Sequence, residues 1–217
     1  MAAAFITFEG IEGCGKTTQA ARSAEFLRQS GMEVILTREP GGTRIGDAIR
    51  EILLSPKNGE MDPVTELLLY FASRAQHVAE VILPALEAGK VVLCDRFSDA
   101  TTAYQGYGRG LPLDTIERIN TEATGGLAPD LTLLFDLEPE VGLDRVGKRA
   151  AASGGGSGDR LEQEELDFHR RVRSGYLEIA RREPDRVILV DASPPEAEVA
   201  EDVIQVLREW LRPGKTK

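Results

Sequence analysis

An α/β fold is expected from this chain: a doubly wound, five-stranded parallel sheet with helices on both faces and a mobile lid. Three observations carry the expectation. Five short, unbroken apolar runs alternate with segments of helical periodicity, the pattern of strands covered on both faces. The first run leads through a glycine-rich loop straight into a helix. A stretch rich in alanine, glycine and serine, 150–159, interrupts the alternation without ending it.

Taken in order, the first strand spans 3–9. Gly10-Ile11-Glu12-Gly13-Cys14-Gly15-Lys16-Thr17 comes next, matching Gly, four residues, Gly-Lys-Ser/Thr. A helix over 17–30 succeeds it, closed by Gly31. A second strand covers 34–37, and helices are expected at about 44–55 and 64–88, with Pro84 kinking the long one or beginning a new segment. The third strand is 91–94, the next helix about 114–124, and the fourth strand 131–135. A helix over 139–149 precedes the glycine-rich stretch. Then come a helix over 162–183, a fifth strand at 187–190, a helix over 195–211 and a disordered tail, 212–217.

The eight-residue loop sits between strand and helix, the context that phosphate binding requires. Its glycines let backbone N–H groups turn inward around an anion, and the helix dipole points the same way. Lys16 reaches the outer phosphates and Thr17 is placed to ligate Mg²⁺. In doubly wound sheets ligands bind beyond the C-terminal strand ends. The polar strand tails therefore matter: Glu9, Arg38-Glu39, Asp95-Arg96, Asp136 and Asp191.

Asp95 is a second candidate for Mg²⁺, and Arg96 for a phosphate held by its planar fork. The loop carries one cation, Lys16, so further charge must come from Arg96 or from Arg149 and Arg160, which frame the glycine-rich stretch. The stretch reads as a flap inside one domain. The segment between it and the C-terminus is too small for an independent parallel-sheet core, so a linker to a second unit is disfavoured. No Asn-Lys-x-Asp segment and no apolar strand ending in Asp-Glu is present. The pattern thus favours a small-acceptor kinase over a GTPase or an ATPase motor.

At 217 residues the chain suits a single domain of 1–217, with the lid at about 149–160 inside it. A net charge of −10 argues against general nucleic-acid or membrane-surface binding. No apolar run approaches a membrane span and no leader precedes the first strand, so a cytoplasmic protein is expected. Cys14 and Cys94 read as reduced thiols. His77 and His169 read as surface or packing residues on helices rather than metal ligands.

Five segments together resemble bacterial thymidylate kinases, which transfer the ATP γ-phosphate to dTMP. They are Phe8-Glu9-Gly10 through Lys16-Thr17-Thr18, Thr37-Arg38-Glu39-Pro40-Gly41-Gly42-Thr43, Phe71-Ala72-Ser73-Arg74-Ala75-Gln76-His77, Asp95-Arg96-Phe97-Ser98 through Ala103-Tyr104-Gln105-Gly106, and Asp159-Arg160-Leu161-Glu162. The resemblance implies that Gly10, Ile11, Glu12, Gly13, Cys14, Gly15, Lys16, Thr17 and Thr18 surround ATP, with Thr17 and Asp95 at Mg²⁺. It implies Glu39, Pro40, Arg50, Arg74, Arg96, Thr101, Tyr104 and Gln105 around dTMP, with Tyr70 or Phe71 stacking on thymine. Arg50 and Arg96 would take the acceptor phosphate, Arg74 the thymine edge, and Tyr104 would crowd the sugar 2′ position. Glu12 matches an acidic position near the acceptor sugar and flap. The family carries its catalytic arginine in the phosphate loop or in the flap; with none in Glu12-Gly13-Cys14 the chain resembles the flap-arginine type, which implies Arg160 first and Arg149 second for that role. The resemblance also implies a homodimer, for which Leu67-Leu68-Leu69, Val78, Val81 and Ile82 are candidates, with core packing as the alternative. A kinase for dUMP, UMP or CMP, or a nucleotide switch without a small acceptor, are the competing readings.

Overall fold

Five parallel strands lie in the order β2-β3-β1-β4-β5. They are β1 Ala4–Gly10, β2 Val34–Arg38, β3 Val91–Asp95, β4 Leu131–Asp136 and β5 Val187–Asp191. The structure, a computed structural model, describes residues 3–152 and 158–211. The expected tail and the middle of the expected lid, 153–157, lie outside the described residues.

Central β1 is buried along its whole length because helices cover both faces. Its side chains alternate between two layers, as pleating demands. Ile6 and Phe8 share a cluster with Ala20, Ala24 and Leu27 of α1 (Lys16–Gln29) and Val199, Val203 and Leu207 of α9 (Glu196–Trp210). Phe5, on the alternate face, joins Val92, Cys94, Val78, Ile82 and Phe97. The sheet register brings Arg38 beside Asp95, Phe8 beside Asp95, Gly10 beside Phe135 and Asp136 beside Asp191. The chain runs to one side of β1 through β2 and to the other through β5, so the loops leaving the C-terminal strand ends part over the sheet centre.

Helix ends obey local chemistry. Thr43 caps α2 (Arg44–Leu54) by accepting from Gly46 N–H at 2.9 Å. Asp62 caps α3 (Pro63–His77), with Pro63 in the first turn, where a missing N–H costs nothing. The long helix expected over 64–88 is three segments: α3, a π-helical turn Val78–Ile82, and α4 Leu83–Glu87. Leu83 N–H bonds to Val78 C=O, one residue further back than in an α-helix, and this wider turn precedes the ring of Pro84.

Three expectations need correction. Residues 98–108, unassigned from sequence, form α5 (Ser98–Thr101) and a second π-helical segment, Thr102–Gly108, before α6 (Leu113–Thr124). Helix α7 (Pro139–Ala152) runs into the stretch expected to be lid. Helix α8 (Leu166–Arg182) starts at Leu166, not 162, because the Asp159 carboxylate accepts from Leu161 and Glu162 N–H and folds 159–164 into a turn. No helix among the described residues is long and apolar enough to cross a membrane.

Candidate functional site

A cavity of about 520 Å³ opens above the C-terminal strand ends. One end is the phosphate loop. Gly13 has φ 71, and a Cβ there would lie 2.1 Å from the Gly142 carbonyl of α7, so only glycine fits. Gly15 precedes α1 and offers no side-chain cap, which leaves the first N–H groups of α1 for an anion. Lys16 is buried, and its ammonium donates to Ile11 C=O at 2.6 Å and contacts Cys14 Sγ at 3.4 Å. Thr17 Oγ1 donates to Asp95 Oδ2 at 2.5 Å, so two hard oxygens converge beside the loop. No group of three or more His, Cys, Asp or Glu side chains suited to a metal occurs among the described residues. Two oxygens suit Mg²⁺, which keeps waters and substrate phosphates as its other ligands.

The middle of the cavity is an ionic network around Arg96. This residue has φ 72, a conformation rare for non-glycine residues and worth about 1–3 kcal/mol of local strain. Its guanidinium donates to Gly10 C=O, Tyr176 Oη, Glu12 Oε1 and Tyr104 Oη at 2.9–3.1 Å, and lies 4.9 Å from the Tyr104 ring centre. Tyr104 Oη also donates to Glu12 Oε1 at 2.6 Å. Burial pushes the Glu12 carboxyl up, but Arg96, His169 and Lys16 together hold it well below the usual range. Glu9, beneath, behaves oppositely: burial, then the Asp99 charge, raise it to about 8 despite Arg96 and the donors Tyr176 Oη and Phe97 N–H.

The far wall is built on α3 and the second π segment. Arg74 is 1% exposed; its Nε donates to Glu39, Nη2 to Phe97 C=O and Thr101 Oγ1, and Nη1 to Asn120. Glu39 in turn bonds His77, which bonds Thr37. Gln105 Nε2 donates to Glu66 at 2.8 Å. Tyr70 lines the cavity, whereas Phe71 packs into a core cluster with Leu67 and Ile116. The Glu39–Pro40 peptide is cis, and Arg50 donates to Pro40 C=O at 2.9 Å. Burial, then the neighbouring Arg38 charge, lower the Arg50 pKa, as for a cation short of a counter-ion.

The two lid arginines are placed differently from each other. Arg160, first choice for the catalytic arginine, is 6% exposed and does not line the cavity. Its Nε donates to Leu53 C=O and its Nη2 sits 2.5 Å from Glu66 Oε2. Arg149, the second choice, lines the cavity with a side chain 70% exposed, 3.5 Å from Glu162. Ile11 and Cys14 are buried beneath the loop and support it rather than line the cavity. Of the apolar dimer candidates, Leu67, Val78 and Ile82 belong to the core, and Leu68 is 52% exposed.

Several cavity residues had no clear sequence signal. Arg145 bonds the carbonyls of Ala192 and Ser193, tying α7 to the loop after β5. Arg38, Leu54, Ala100, Asp159, Leu161 and Glu162 also line the space. His169 and His77, read as surface or packing residues, are both buried against carboxylates: Glu12 at 3.4 Å and Glu39 at 3.0 Å. The strand-end rule and the Thr37–Thr43 segment pointed to Arg38, and the flap segment to Asp159, Leu161 and Glu162.

The family model for thymidylate kinase matches residues 8–203. The chain is 55% identical over 204 residues to a thymidylate kinase of Desulfosudis oleivorans, covering 94% of this chain and 95% of that one. It is 57% identical over 189 residues to one of Geotalea uraniireducens, covering 87% and 89%. The crystal structure of thymidylate kinase from Ehrlichia chaffeensis superposes with a TM-score of 0.76 at 35% identity, covering 95% of this chain and 99% of that one.

Proposed function

The chain belongs to the thymidylate kinase family, transferring the ATP γ-phosphate to dTMP to give ADP and dTDP, and from that premise we propose how its residues divide the work. One observation carries the assignment: a single cavity joins the phosphate loop to a polar wall of Arg74, Thr101 and Gln105, with Arg96 between them. ATP phosphates lie on the N–H groups of residues 13–18 and on Lys16. Thr17 and Asp95 are the residues that would hold Mg²⁺, which when bound would supply charge neutralisation at the donor phosphates. The adenine end lies toward Arg145 and the loop after Asp191, which that side chain braces.

The dTMP phosphate lies between Arg96 and Arg50, whose charges offset repulsion between donor and acceptor. An acceptor phosphate oxygen is already an anion, so no strong base is needed. It attacks the γ-phosphorus as the bond to the β-phosphate bridging oxygen breaks, and ADP leaves with that electron pair. Glu12 stays ionised and positions Arg96 and Tyr104. Arg149, rather than Arg160, brings lid charge to the transferring group. Tyr70 stacks on the base, and Tyr104 crowds the sugar 2′ position.

The protein acts as one nucleoside monophosphate kinase domain, and its lid centres on the end of α7 and the turn at 158–164. It works as a homodimer through the exposed apolar residues Ile45 and Ile52 of α2 and Val64 and Leu68 of α3. ADP release from Mg-ATP with dTMP, dUMP, UMP, CMP, AMP and GMP offered separately tests the acceptor pocket. Strong dTMP preference is the expected result. Preference for another monophosphate overturns the roles of Tyr70, Arg74, Thr101 and Tyr104, and hydrolysis indifferent to any acceptor overturns the kinase reading.

A further inference from the structure

Behind the base wall lies a charged cluster that touches no phosphate. Glu66 is fully buried. Its Oε1 accepts from Gln105 Nε2 at 2.8 Å and from Arg109 Nε at 3.2 Å. Its Oε2 accepts from Arg109 Nη2 at 3.1 Å and faces Arg160 Nη2 at 2.5 Å. Arg109 is shared with Glu164 at 2.6 Å and lies 4.7 Å from the Phe168 ring centre. Two guanidiniums thus enclose one carboxylate. Burial pushes the Glu66 carboxyl up, but the Arg109 and Gln105 hydrogen bonds and the Arg109 and Arg160 charges bring it below its ordinary value. An ionised carboxylate has only acceptors to offer.

That constraint passes to Gln105. Its amide has a donor end and an acceptor end, and Glu66 can take only the donor end. Among the described residues no donor reaches Gln105 Oε1 within hydrogen-bond distance, and Gln105 lines the cavity. Beside it Arg74 offers donors only.

We infer that Glu66 is a specificity-positioning residue: it locks the Gln105 amide with its oxygen toward the cavity, so that this oxygen and Arg74 together select the pyrimidine edge. This rests on the reading of the Arg74–Gln105 wall as the base subsite. Thymine and uracil present a carbonyl acceptor beside an N3–H donor, which meets Arg74 and Gln105 Oε1. Cytosine presents an amine donor beside an N3 acceptor, so both contacts are inverted. A buried site that leaves polar groups unpaired rejects its ligand strongly, by up to about 10⁴-fold. Arg109 and Arg160 act one step further back, by keeping Glu66 an acceptor. This also accounts for a lid-segment arginine that points away from the transferring phosphate.

The test compares kcat/KM for dUMP and dCMP, which differ only at this edge, alongside dTMP. Wild type is expected to favour dUMP over dCMP by about 10³-fold or more. In Glu66→Gln, Arg109 and Arg160 keep the amide oxygen and the amide nitrogen turns to Gln105. The Gln105 amide then reverses, and the dUMP:dCMP ratio falls tenfold or more. An unchanged ratio in folded Glu66→Gln overturns the inference. Gln105→Met leaves the ion cluster intact and is expected to collapse the same ratio, which keeps the test decisive if Glu66→Gln does not fold; a wild-type ratio in Gln105→Met also overturns it. A wild-type enzyme that does not prefer dTMP instead overturns the base subsite itself.

Discussion

Glu9 and Glu12 sit three residues apart and share Arg96 as a neighbour, yet their surroundings push their pKa values in opposite directions. Glu12 lies among four cationic or donor groups, Arg96, His169, Lys16 and Tyr104, whereas Glu9 lies buried at the end of central β1 near Asp99. The folded pKa of Glu9 is raised to about 8 from 4.5, so the folded state binds the extra proton between those values. Stability from this group is then greatest at low pH and falls as pH rises from about 4.5 to 8. Glu12 works in the other direction, its contribution being present above the unfolded pKa and lost on acidification. Urea unfolding of wild type and Glu9→Gln at about pH 6 and about pH 8.5 checks this. Glu9→Gln is expected to gain about 2 kcal/mol relative to wild type over that interval. At the lid, Arg149→Ala is expected to lower kcat about 10²-fold or more with little change in dTMP KM, because a lid charge acts mainly in the transition state. Arg160→Met is expected to spare kcat for dTMP and cost about 1–3 kcal/mol of stability by loosening the pairing of Glu66. Steady-state kinetics with denaturant melts separate the two arginines.

At the scale of elements, the π segment Thr102–Gly108 places Tyr104 and Gln105 on the cavity wall. It packs closely on α8, where a Cβ at Gly108 would meet Phe168 at 2.7 Å and Val172 at 3.0 Å. These neighbours are core residues that cannot swing away. Gly108→Ala is expected to cost about 1–3 kcal/mol in urea unfolding, the usual range for overpacking. It is also expected to raise dTMP KM more than ATP KM, since the displaced segment carries acceptor contacts and the phosphate loop lies elsewhere. Equal rises in both KM values would place the damage in the sheet core instead.

At the scale of the whole molecule, four exposed apolar residues on adjacent helices α2 and α3 stand out against a chain of net charge −10. Ile45, Ile52, Val64 and Leu68 range from 43% to 52% exposed. A dimer face here would cover them. Sedimentation velocity is expected to give a dimer for wild type and a monomer for Leu68→Glu, because a charge buried in an apolar interface is costly. A dimer unchanged by Leu68→Glu would move the interface to another face.

Local chemistry was enough for the strands, the phosphate loop and most helices. Unbroken apolar runs, a Gly-Lys-Thr turn, Asp62-Pro63 and Gly31 act within a few residues of where they stand in the chain. The cavity's basic and acidic strand ends were legible for the same reason, since parallel strands align their polar tails. Residues 98–108 were not legible, because a π segment owes its form to packing against α8 rather than to any propensity of Thr101, Thr102 or Tyr104. Nor was the direction of the lid arginines. Arg149 and Arg160 carry the same charge near the same glycine-rich stretch, and what separates them is Glu66, which is far from both in the chain and close to Arg160 in space. Sequence determined which charges this protein has near its phosphates. Only the tertiary structure decided which are spent on buried carboxylates and which remain for a ligand, because ion pairing depends on distance in space.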